Sequence, residues 1–257
     1  MLKVISTGKG GVGKTTTIST LATMFSRGGK RVLVFDTDPS MNLAMTLGIP
    51  YMETPTITGE KEHINHALDE SDEDTHIVIG DILRDQTVRN KDGVDVLVMG
   101  AIPEDRNGCL CSAVSIIKMI VSYLDSDDCS DRYDVLLVDS QAGPEILGRG
   151  MAKDFDYNLI LTEPTPKSAE VSRQVVMLAN NLGMKNNILL INKSESEEDL
   201  KRISELVGVP ERDTIRIRFD HHVIEADREN ECLLDSFPRC DAVSDIRRVK
   251  DRLEIYL

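Results

Sequence analysis

Gly8-Lys9-Gly10-Gly11-Val12-Gly13-Lys14-Thr15, followed by Thr16, has the residue types and spacing of a phosphate-binding loop. Its glycines let the backbone turn N–H groups inward around phosphate oxygens. A helix beginning at the end of the loop adds partial positive charge. Lys14 is expected to reach the β- and γ-phosphates of ATP, and the Thr15 hydroxyl to hold Mg²⁺. Lys9 is a second lysine that such a loop does not need. So early in the turn, it cannot easily curl back to its own phosphates. It could reach across a two-fold axis to a partner's nucleotide and neutralise transition-state charge, as an arginine finger does. Hydrolysis would then depend on forming a homodimer.

Carboxylates follow. RVLVFD (31–36) reads as a buried strand that runs into Asp36-Thr37-Asp38-Pro39. Residues just past a strand end lie on the ligand side of an open α/β sheet. Asp38 is placed to orient or deprotonate the attacking water, and Asp36 to sit behind the Mg²⁺ shell. Asp139, closing YDVLLVD, is expected to support Mg²⁺ directly or through water. The loop 140–144 after it would sense the γ-phosphate. Asn192 closes NILLIN, and Asn192-Lys193 could read the adenine edge, since an amide offers both a donor and an acceptor.

These groups need a frame. Apolar runs at 2–6, 31–36, 94–100, 133–139, 157–163, 187–192 and 214–219 are mostly continuous rather than alternating, the pattern of strands covered on both faces. Helical spacing appears between them, at Val114, Ile117, Val121 and Leu124 and at Val171, Val175, Leu178 and Leu182. The alternation predicts an α/β fold: a mainly parallel twisted sheet of about seven strands with helices on both faces. With no repeat and no linker, residues 1–257 read as one domain. Residues 51–76 read as polar loop plus a short helix, and 101–112 as a loop before a helix.

A net charge of −14 argues against nucleic acid as a partner. Arg247, Arg248, Lys250 and Arg252 read as a solvated helix face. MLKVISTGKGG lacks the apolar core of a signal peptide, no run is long enough to span a membrane, and the C-terminal residues lack the pattern of a surface anchor. The expectation is a cytoplasmic protein with no membrane partner. Five cysteines in that setting suggest thiols or metal ligands before disulfides. Cys129, Cys232 and Cys240 read as structural thiols. His63 and His66 read as a solvated face, and His221-His222 as loop surface.

GKGGVGKTT, FDTDPSMN, YDVLLVD and LLINK together resemble the deviant-Walker ATPases, across nearly the whole chain. That class includes chromosome-partition and division-site ATPases, the nitrogenase iron protein and nickel-insertion ATPases. The resemblance implies that Lys9 is the signature lysine that contacts nucleotide across a homodimer. Cys109-Leu110-Cys111, DSQAGPEILGRG and FDHHVIEADREN resemble the CooC-type accessory ATPases of carbon monoxide dehydrogenase maturation. This implies an adenine-site role for the stretch around Asp220, and a nickel-insertion function toward an apo carbon monoxide dehydrogenase-type client. Three residues depart from the pattern this resemblance implies: Gln141 stands where that family tends to have Glu, Ile146 where it tends to have His, and Arg218 where it tends to have a proline. Within this frame, two thiolates from each subunit, Cys109 and Cys111, could hold Ni²⁺ in a square plane or Zn²⁺ in a tetrahedron at the two-fold axis. An iron–sulfur cluster carrier or reductase-like ATPase, and a partition or positioning ATPase, are the alternatives. DSQAGPE lacks the bridging cysteine of the reductase-like class.

Overall fold

The structure is a computed structural model. It describes the chain apart from residues 39, 59–74, 101–109, 127–128, 130–131, 144–146, 148–153 and 256–257, and apart from the side chains of 75 and 110–116. His63, His66 and Cys109 lie outside the described residues.

The long strands are β1 (Leu2–Gly8), β2 (Val32–Asp36), β4 (Asp95–Val98), β5 (Val135–Asp139), β6 (Tyr157–Thr162), β7 (Asn187–Ser194) and β8 (Thr214–Arg218). They form one sheet in the order β3-β4-β2-β5-β1-β6-β7-β8. All neighbours are parallel except β3 (Thr87–Arg89), which runs antiparallel to β4 at the edge. Among the described residues the sheet therefore has eight strands rather than about seven. The extra one is a three-residue strand, too short to show the period-2 pattern by which strands are recognised.

Strand side chains alternate between two cores. Ile5, Leu33, Phe35, Leu97, Leu136, Val138, Ile160, Leu189 and Ile191 point to one. Val4, Val32, Val34, Val96, Leu137, Leu159, Leu161 and Leu190 point to the other. Both faces are buried, which is why the runs read as continuous. The first face is covered by α3 (Thr75–Gln86), α4 (Leu110–Asp125), α5 (Pro166–Asn181) and α6 (Glu198–Val207). The second carries α1 (Lys14–Arg27), α2 (Asn42–Thr46), α8 (Leu233–Ser236) and α9 (Asp241–Glu254). α7 (His221–Arg228) follows β8.

Helix α4 begins at Leu110, earlier than the sequence reading, which ran the loop through 112. Leu110 shares the i, i+4, i+7 stripe of Val114 and Ile117, so the apolar face already favours a turn there. Cys111 is thus on the first turn of α4. On α9, Arg247, Arg248 and Arg252 are exposed. Val243, Ile246, Val249 and Leu253 are buried beneath them, so these three arginines lie on the solvated face of an amphipathic helix, whereas Lys250 is half-buried, over the Phe25 ring at 5.2 Å and paired with Glu254.

The ends of β1, β2, β5, β6 and β7 all open on one edge of the sheet. β1 lies between β5 and β6, so the loop leaving it stands at the centre of that edge, where open parallel sheets bind ligands.

Candidate functional site

The loop from Gly8 to Lys14 joins β1 directly to the N-terminus of α1. Gly13 caps that helix in the left-handed region, φ 95°. Its empty side faces Asn192, whose Nδ2 lies 2.3 Å from where a Cβ would stand. Lys14 is 7% exposed, with its ammonium 3.4 Å from the Lys9 carbonyl. Burial lowers the Lys14 pKa, opposed by the charges of Asp139 and Asp38. A cation in a glycine loop whose charged form burial disfavours is one that a phosphate oxygen would stabilise. Lys9 is exposed, while Gly143 donates its N–H to the Gly8 carbonyl at 3.0 Å and ties the loop after β5 to the phosphate loop.

Asp139 and Asp36 are partners across the β2–β5 pair, and both are buried. Asp139 accepts from the Thr15 hydroxyl at 2.6 Å and from Ser6 Oγ at 3.0 Å. Its pKa is raised by burial, against the pull of Thr15 and Lys14. Asp36 is pushed up to about 7 by burial and by Asp139, against the backbone amides of Asp38 and Leu43 that it accepts. Those two amides fix the turn that carries Asp38. Asp38 in turn accepts from the amide and hydroxyl of Ser40 at 2.9 and 2.6 Å. The donors at this end are hydroxyl and carboxylate oxygens, the hard ligands that Mg²⁺ prefers. Two buried carboxylates that hold protons too tightly are an environment a divalent cation relieves. The residues present therefore fit Mg²⁺.

Beside the loop lies a cleft of about 310 Å³. Its floor is Gly11, Gly13, Thr16 and Asn192; Ile217, Phe219, Val223 and Ile224 supply apolar wall, and Lys193, Arg218 and Asp220 the polar rim. That mixture of apolar side chains and a few polar groups suits a heterocyclic base. Asn192 donates to the Val12 carbonyl at 2.7 Å and accepts from its neighbour's amide, Lys193 N–H, at 2.9 Å. Arg218 grips Asp245 through both guanidinium arms, at 2.8 and 3.1 Å, and pairs with Asp241 at 2.7 Å. In place of a proline it thus clamps β8 to α9.

Asp220 caps two helices. One oxygen accepts from the amide of His222 at 3.0 Å and from that residue's ring Nδ1 at 2.8 Å; the other accepts from the amide of Ala242 at 3.1 Å. His221 and His222 are exposed, as expected, but stand on the first turn of α7 rather than in a loop. Burial alone would raise the Asp220 pKa, yet the amides of Ala242 and His222 outweigh it and hold it at about 2. A depressed carboxylate stabilises the fold above its ordinary value, 3.8, and that contribution fades as pH falls from 3.8 toward 2. Asp220→Ala should cost about 2 kcal/mol at neutral pH through lost caps. The gap between variant and wild type in urea melts should narrow as pH falls through that window.

Sequence reasoning did not single out Ser6, Glu163 or the wall residues Ile217, Ala242 and Ile246. Glu163 stands just past β6, and the strand-end rule that marks Asp36 and Asp139 applies to it equally. The walls come from β8, α7 and α9, and no local spacing joins them. Among the described residues no cluster of three or more His, Cys, Asp or Glu side chains could hold a metal ion. Cys109 and the side chain of Cys111 lie outside that description. Cys129 is buried, and Cys232 and Cys240 are half-buried thiols.

A phosphate loop between β1 and α1, with acidic ends on β2 and β5 of a parallel sheet, defines a P-loop ATPase. The chain belongs to the CobQ/CobB/MinD/ParA nucleotide-binding family, whose model matches residues 3–234. It is 29% identical over 249 residues to the carbon monoxide dehydrogenase accessory protein CooC of Rhodospirillum rubrum, covering 93% of this chain and 92% of that one. An ATP-binding protein of Methanocaldococcus jannaschii is 33% identical over 206 residues, 77% of each chain. The cell-division ATPase MinD of Pyrococcus furiosus has the same fold, with a TM-score of 0.71 at 21% identity, over 100% of both chains. Lys9 is what makes the loop a deviant-Walker one. No described helix is long and apolar enough to cross a membrane.

Proposed function

We propose that this single-domain ATPase works in the cytoplasm as a homodimer that delivers a metal ion, nickel, to an apo-enzyme of the carbon monoxide dehydrogenase type. The similarity to the Rhodospirillum rubrum accessory protein, over 93% of this chain, carries the reading. The loop amides of Gly10, Gly11, Gly13, Lys14, Thr15 and Thr16 and the Lys14 ammonium bind the phosphates. Asp38 orients the attacking water, and Asp36 holds the turn on which Asp38 stands. Thr15 and Asp139 hold Mg²⁺, backed by Asp36, and the ion supplies charge neutralisation on the phosphate oxygens. Lys9 of one protomer serves the nucleotide of the other. Asn192, Lys193 and Asp220 frame the base cleft. Cys109 and Cys111 hold the cargo with their symmetry mates as four thiolates. A cargo site shared by two protomers makes metal affinity depend on dimer geometry, and so on nucleotide; by linkage the metal alters nucleotide affinity in return.

Titration with Ni²⁺ and with Zn²⁺, with mass measured in solution, tests the cargo site. Wild type should bind one ion per two chains. Cys109→Ala/Cys111→Ala should lose tight binding while still hydrolysing ATP. Unchanged binding in the double variant would remove the cysteines from the reading. A brown, iron-containing protein would favour an iron–sulfur cargo, and no tight metal binding at all a positioning switch.

A further inference from the structure

We propose that Lys193 and Glu163 form a strut that holds the phosphate loop in its anion-binding shape, so that both are positioning residues for the nucleotide's phosphates. The inference rests on the ATPase reading of the same loop.

Loop amides can converge on an anion only if the carbonyls between them turn outward. An outward carbonyl takes its donor from water or from a side chain. Two adjacent ones are met by two adjacent residues at the end of β7. Asn192 Nδ2 donates to the Val12 carbonyl at 2.7 Å, and Lys193 Nζ to the Gly11 carbonyl at 2.8 Å. The same ammonium lies 2.7 Å from Glu163 Oε1.

The backbone departs from the ordinary to make this reach. The β7–β8 register shifts between Ile191 and Ser194, and Lys193 sits in the left-handed region at φ 57°. That conformation costs a non-glycine residue on the order of 1 kcal/mol or more. Here it turns the lysine back over the loop. Glu163 is fixed from the other side. Its amide donates to Ser168 Oγ at 2.9 Å, and Thr165, the cap of α5, donates its N–H to the Glu163 carbonyl at 2.7 Å. The chain of contacts runs from the N-terminus of α5 through Glu163 and Lys193 to Gly11.

A strut acts through the phosphates whatever base is attached. Lys193→Met keeps the side-chain stem and removes the charge. Calorimetry on the full chain should show Mg·ATP, Mg·ADP and base-less tripolyphosphate all weakened by about tenfold, in equal proportion, the loss of one charge-assisted hydrogen bond to the loop. Lys193→Arg, able to reach both acceptors, should recover most of it. Glu163→Gln, which leaves the ammonium in place but unanchored, should weaken the same three ligands by about threefold. Tripolyphosphate affinity unchanged in Lys193→Met and Glu163→Gln would overturn the strut; if ATP and ADP both weakened while tripolyphosphate did not, Lys193 would be a base contact. A wild-type chain that bound none of the three would overturn the ATPase reading itself. A melt without nucleotide shows whether Lys193→Met is folded, and Glu163→Gln carries the test if it is not.

Discussion

Lys9→Ala should hydrolyse ATP about a thousandfold more slowly than wild type and bind Mg·ADP within about twofold of it, because a charge supplied across a subunit boundary acts on the transition state rather than on the bound product. The geometry of one protomer supports the split. Lys14 is buried in the loop and faces its own phosphate site, whereas Lys9 is exposed and only its backbone carbonyl approaches Lys14, at 3.4 Å. Complementation separates a trans lysine from a cis one. Lys14→Ala should lose nucleotide binding at its own site but still offer Lys9 to a partner. Mixed with Lys9→Ala, it should restore on the order of a quarter of wild-type activity: half of randomly paired dimers are mixed, and each mixed dimer has one complete site. A mixture as inactive as its parts, from chains shown to form mixed dimers, would place Lys9 in its own site.

How far the sequence could be read depended on whether the information was local. The buried strands were legible because residues such as Val34 and Phe35, neighbours in sequence, feed opposite cores. The phosphate loop and the strand-end acids, Asp36 and Asp139, were legible because a turn and a strand terminus are each set by a few contiguous residues. β3 was not, since three residues that follow α3 without a break carry no periodicity. Apart from Asn192 and Lys193 at the end of β7, the base cleft was legible only through resemblance. Ile217, Val223 and Ala242 meet there from three elements, and Asp220 shows its capping role only when His222 and Ala242 are both in place. Arg218 illustrates the same limit. A departure from a family's proline says nothing of its compensation, and Asp245, 27 residues on, is what gives the arginine its place.

The phosphate-loop motif explains its glycines by the close approach of phosphate, but Gly8 answers to a different constraint. Gly8 pairs with Leu161 across the β1–β6 register, at φ 139°. A Cβ built there would stand 2.3 Å from the Leu161 carbonyl oxygen. That oxygen belongs to the backbone of a central strand and cannot rotate away as a side chain would. Strain in φ and overlap with the strand should together cost about 4 kcal/mol. Gly8→Ala is therefore expected to lose a large fraction of a typical domain's stability even with no nucleotide present. Gly11→Ala is the control: φ is 78°, but nothing lies within 4 Å of the added methyl. It should cost only about 1 kcal/mol, the price of the left-handed backbone. Urea melts of the two variants without nucleotide compare them directly. Equal losses would mean that β6 yields to the methyl, and that Gly8 is kept for phosphate alone.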